Sequence, residues 1–115
     1  MAPYRRKLKT SYFAKPGIQE NPDALSIALY APRWWGKGRR FKLLAPTPDM
    51  LKQGYTKEEY FNLLDERINN PAEIYEQIND KIICCWEKDG SKCHRRYAAE
   101  WFEAKLPGIE IPEVE

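Results

Sequence analysis

Reactive side chains are scarce in this sequence: its 115 residues include three cysteines and one histidine. Three cysteines cannot all pair within one chain, which agrees with a reducing, cytoplasmic compartment. Long apolar runs are missing too. No stretch approaches the ~18 apolar residues of a membrane span, so no membrane partner is expected. The opening "MAPYRRKLKTSYF" carries basic residues without the apolar run a signal peptide needs. No internal repeat and no low-complexity linker breaks the chain. These absences leave a soluble protein, expected as one domain over residues 1–115. The hydrophobic content of 43% and aromatic content of 13% argue against disorder. A chain of this length buries roughly two thirds of its unfolded surface.

Charge of one sign is short as well: the net charge is +2. The two ends of the chain nevertheless differ. Residues 1–42 hold ten Lys or Arg against two acids, and residues 43–115 hold nine against fifteen. A basic front part attracts phosphates if the fold keeps it together on one surface.

Residues 8–14, "LKTSYFA", read as a strand, ended by Pro16-Gly17. Residues 24–31, "ALSIALYA", read as a second, stopped by Pro32. Thr47-Pro48 caps and opens a short helix over "PDMLKQG". Thr56 and Glu59 form a capping box for a helix to about Asn69, with Tyr60, Leu64 and Ile68 on one stripe and Phe61 beside it. Pro71 starts another helix, with Ile74 and Ile78 four apart. "KIICCWE" is a continuous apolar run suited to a strand buried on both faces. A helix follows from about Cys93 to Leu106, with Ala98, Trp101 and Phe102 inward. "IEIPEV" reads as a short final strand. Strands alternating with helices predict an α/β fold with a small, largely parallel sheet flanked by helices.

All three cysteines and the histidine fall between Cys84 and His94. In open α/β sheets, ligands sit beyond the carboxyl ends of strands. Cys85, Glu87, Cys93, His94 and Arg95 belong to that rim, at a strand end and a helix start. Neighbouring strand residues face opposite ways, so Cys84 and Cys85 diverge, and Cys84 reads as a small core hydrophobe. Helix-start amides and Arg95 favour an anion such as a phosphate. The same electropositive setting favours a thiolate at Cys85 or Cys93, with Glu87 and His94 positioning protons. Cys85 stands ten positions before Arg95, too far for a phosphatase loop, and no Cys-x-x-Cys is present. Zinc held by Cys85, Cys93 and His94 is a competing reading, but the usual four-ligand spacing is missing.

The stretch "CCWEKDGSKCHRRYAAEWF" resembles the C-terminal signature of domain-of-unknown-function family 488, in its short single-domain form. The signature is an apolar strand ending in Cys85, Trp86 and Glu87, a turn, then Cys93, His94 and Arg95 opening a helix. "TSYFA", "SIALYAPRWW" and "KLLAP" resemble the family's opening strand and middle, so the similarity spans about residues 8–111. Cys84 is not part of the pattern. The resemblance implies a fold and a candidate site, Cys85, Glu87, Cys93, His94 and Arg95, and leaves the reaction and any cofactor unknown. It also brings Thr10, Ser11 and Tyr12 into the neighbourhood, as residues of a first strand ending near the site.

"RWWGKGRRF", Arg33 to Phe41, interleaves bases with aromatics, as single-strand binders do. The competing reading packs Trp34 and Trp35 on the core and leaves the charges in water. Glu58, Glu59, Asp65 and Glu66 read as an exposed helix face. The expectation is therefore an anion-binding, thiol-dependent site for a nucleotide or phosphorylated ligand. The alternative is a nucleic-acid or protein-binding module with a structural cysteine cluster.

Overall fold

A computed structural model describes residues 8–86 and 94–114, with Lys37 described by its backbone alone. Glu87 and Cys93 lie outside the described residues. Three strands, β1 (Lys9–Tyr12), β2 (Ala24–Ser26) and β3 (Ile82–Cys85), form one parallel sheet in the order β1-β3-β2. β3 takes the centre because "IICC" offers an apolar side chain to each face in turn, and all but Ile82 are fully buried. Among the described residues there are four α-helices, α1 (Pro48–Gln53), α2 (Lys57–Arg67), α3 (Pro71–Ile78) and α4 (His94–Lys105), and the first three begin where the sequence signals place them. The architecture is a small α/β fold.

The caps are local chemistry. The Thr47 hydroxyl accepts from the Met50 N–H, and Pro48 opens α1. The chain leaves α1 through Gly54, at φ 83, a conformation that favours glycine. Thr56 and Glu59 form both halves of the capping box that opens α2. Asn70 caps α3, with Pro71 at its first position. Residues 42–44 form a 3-10 turn. That turn is held from α2. Tyr60 Oη donates to the Leu44 carbonyl at 2.6 Å, and Arg67 Nη1 donates to those of Leu43 and Ala45 at 2.9 and 2.6 Å.

Strands are shorter than the sequence predicts: β1 covers Lys9–Tyr12 of the expected 8–14, and two others fall further short. β2 stops at Ser26, whose hydroxyl accepts the Ala28 N–H and turns the chain aside. The expected strand at "IEIPEV" reduces to one bridge, Thr10 to Glu113, along the outer edge of β1. Pro112 has no N–H to extend that pairing.

Each sheet face has its own core. Leu8, Ile27, Ile83, Tyr60, Leu64, Tyr75, Ala98, Trp101 and Phe102 pack between the sheet and helices α2–α4. On the opposite face, Phe13, Ile18, Ala24, Ala28, Trp35 and Cys84 form a second cluster under the loops.

Candidate functional site at the end of the central strand

Register assigns the site residues to faces. Thr10 pairs with Ile83, Ser11 with Cys84, and Tyr12 with Cys85. Thr10, Tyr12, Ile83 and Cys85 therefore share the face covered by α4, whereas Ser11 and Cys84 share the other. The divergence of Cys84 and Cys85 is as the sequence predicts. Cys84 is a free, buried thiol in the second core, and burial pushes its pKa up to about 12. Ser11 is turned away from Thr10 and Tyr12, and its buried hydroxyl has no hydrogen-bond partner among the described residues.

Arg95 lies in the first turn of α4, with no solvent exposure. Its Nη1 donates to Cys85 Sγ at 3.2 Å. Its Nε and Nη2 fork onto the two carboxylate oxygens of Glu113, at 3.0 and 2.7 Å. Its Cζ stands 5.8 Å from the centre of the Tyr12 ring. A buried guanidinium needs a counter-charge, and two parallel N–H···O bonds to a carboxylate are its best geometry. Glu113 is not among the residues that the sequence singles out. The available signal was weak: one acid in a C-terminal segment otherwise read as a strand.

The cradle extends past Arg95. The Thr10 hydroxyl, itself buried, donates to Glu113 Oε1 and accepts from Arg96 Nη1 at 2.8 Å. Arg96 Nη1 also donates to the Ile111 carbonyl at 2.9 Å. Burial pushes the Glu113 carboxyl up. The hydrogen bonds from Arg95 and Thr10 and the two guanidinium charges outweigh that and hold it below the usual carboxylate range.

Cys85 is disulfide-bonded, so the sulfur that Arg95 touches is an acceptor in this state and not a thiolate. His94 is buried beside Arg95, with Nε2 on the Ile27 carbonyl at 2.8 Å and its ring edge-on to Tyr60. Facing a carbonyl, Nε2 must carry the proton. Burial, aided by the Arg95 charge, pushes its pKa down to about 4 against the opposing effect of the Ile27 bond. His94 is thus a neutral ring that ties the start of α4 to the end of β2. Two of the three side chains weighed for zinc, Cys85 and His94, are engaged in other bonds. Among the described residues, no group of three metal-ligating side chains comes together.

The structure therefore brings together Thr10, Tyr12, Cys85 and Arg95, adds Arg96 and Glu113, sets His94 to one side and turns Ser11 away. The aromatic-basic loop divides. Trp35 is buried, as the core reading holds, but Trp34 is 50% exposed. Arg39 donates to the carbonyls of Ala24 and Gln19, and Arg40 to that of Trp35. No family model, no curated protein and no solved structure matches this chain.

Proposed function

We propose that this small α/β protein carries, at its Cys85–Arg95 corner, a thiol-dependent site for an anionic ligand, a nucleotide or another phosphorylated molecule, and that it works in the cytoplasm. The observation that carries the reading is a fully buried guanidinium that holds a carboxylate in a two-bond fork and touches a cysteine sulfur at 3.2 Å. Phosphate oxygens suit the same fork. In the cytoplasm a disulfide is most often transient and reactive. A dithiol reductant would return Cys85 and the sulfur bonded to it to two thiols, and become a disulfide itself. The thiol would then lose its proton to water, and the Arg95 charge would stabilise the thiolate. Glu87 and Cys93 enter by sequence position, as a carboxylate and a second thiol near the strand end and helix start. His94 acts by fixing the helix start. The resemblance to domain-of-unknown-function family 488 is part of this proposal and supports the same residues.

The test is the pH dependence of thiolate absorbance in the ultraviolet, because Cys84 and Cys85 are both buried and alkylation would not separate them. Under dithiothreitol, the difference between wild type and Cys85→Ser should show a Cys85 thiolate with a midpoint below the usual thiol value of about 8.5. Phosphate or a nucleotide should move that midpoint and raise the melting temperature. An ordinary Cys85 midpoint, unmoved by any of these ligands, would count against the proposal.

A second reading, a nucleic-acid-binding module, is favoured by one observation. Tyr30, Trp34 and Trp86 are 66, 50 and 56% exposed, and Trp86 Nε1 donates to the Tyr30 carbonyl. Exposed rings suit base stacking. Arg39 and Arg40 are spent on backbone carbonyls, however, which leaves fewer cations for phosphates. Steeply salt-dependent binding of single-stranded DNA that Trp34→Ala abolishes would favour this reading.

A further inference from the structure

We infer that Glu113 is a resident stand-in for the ligand's anionic group, and that a phosphate-bearing ligand takes its place on Arg95, Thr10 and Arg96 by displacing residues 112–114 from the edge of β1. This rests on the anion-site reading above and adds which groups recognise the ligand and what must leave.

The carboxylate occupies the position an oxyanion needs. Arg95 supplies two N–H bonds and Thr10 one O–H bond, and Arg96 fixes the Thr10 hydroxyl from behind. Two guanidinium charges face one carboxylate, so these four side chains sum to +1. A phosphate monoester near neutral pH carries about −1.5 to −2 charges and three acceptor oxygens, and matches the pair of arginines better than a single carboxylate does. The Glu113 side chain keeps 34% of its surface in water, so the position is reachable.

The segment that carries Glu113 is lightly held. Its backbone is tied to β1 by two bonds, Thr10 N–H to the Pro112 carbonyl at 3.0 Å and Val114 N–H to the Thr10 carbonyl at 2.8 Å. Pro112 cannot donate a third. The firm anchor lies just before it. Ile111 is buried, its N–H donates to Glu103 Oε2 at 2.8 Å, and its carbonyl accepts from Arg96. Residues 112–114 can swing away beyond Ile111 while the core stays closed.

The experiment compares inorganic phosphate binding by reduced wild-type protein and Glu113→Ala, by calorimetry at constant ionic strength, with sodium chloride and sodium acetate as parallel arms. Vacating the position should lower the phosphate Kd at least tenfold, with a smaller gain for acetate and none for chloride. In the wild type, phosphate should speed amide exchange in the peptide covering Pro112 to Val114. That measurement stands if Glu113→Ala does not fold, and Glu113→Gln then replaces it. Equal phosphate affinity in wild type and variant, with exchange at 112–114 unchanged, would overturn the stand-in role and leave an anion site intact. No phosphate binding by either protein would overturn both readings and leave Glu113 as a structural counter-ion.

Discussion

Protonating His94 opposes folding. Its ordinary value of 6.5 falls to about 4 in the fold. Below pH 6.5 the unfolded chain takes up a proton that the folded chain refuses until about pH 4. Stability should therefore fall as pH drops through that window, by up to about 3 kcal/mol, and no further from this group below it. His94→Gln, which keeps an N–H for Ile27, should flatten that slope in urea titrations at pH 7, 5.5 and 4. Glu113 acts lower. Its folded value is depressed from 4.5, so the stability it supplies is present above that value and is lost as pH falls through the lowered one. In His94→Gln the remaining acid sensitivity should begin only there. At neutral pH, Glu113→Ala should cost about 3 kcal/mol, the lower end for breaking a buried pair, because Glu113 is 34% exposed while Arg95 is fully buried. Arg95 was legible as a site residue because a strand end and a helix start are visible in the sequence. Its partner was not, because Glu113 lies eighteen positions further on, past the whole of α4.

Among elements, the helices were the most legible, because their signals are local. Thr56 and Glu59 are three residues apart and satisfy each other's backbone N–H groups wherever the helix later packs. Thr56→Ala should cost about 1 kcal/mol, read as a lower urea midpoint with an unchanged slope. The stretch 42–44 carries no comparable signal. Its 3-10 turn is held by Tyr60 and Arg67, side chains of a helix that comes later in the chain. The run "ALSIALYA" is mostly apolar, which predicts a longer second strand than the one that forms. Nothing in an apolar run marks where a serine hydroxyl captures an N–H and bends the chain.

At the scale of the molecule, β3 couples two cores that alternate along four residues, with Ile83 in one and Cys84 in the other. Ile83→Ala should cost roughly 2–5 kcal/mol and Trp35→Ala roughly 3–5 kcal/mol. Exposed Trp34→Ala should change stability by under about 1 kcal/mol. Because both cores share one strand, tryptophan fluorescence and far-ultraviolet dichroism should unfold together in each variant; separate midpoints would show that the cores melt independently. The charge asymmetry of the chain also resolves at this scale. β1 and β2, from the basic front part, flank a strand from the acidic remainder. Arg39 and Arg40 turn onto backbone carbonyls, so two cations of the basic front part are held against the chain.

The sequence by itself determined the class of fold, the helix starts, the buried central strand and the opposite facing of Cys84 and Cys85. Each follows from spacing along one segment: a cap three residues from its partner, a two-residue alternation, an unbroken apolar run. Only the tertiary structure decided that Thr10, Tyr12, Cys85 and Arg95 share a face with Glu113, that Ser11 points away, and that His94 is a buried, neutral ring. Those outcomes depend on strand order and register, and on which distant group meets a buried charge. Such pairings arise between segments far apart in the chain, where no local period reports them.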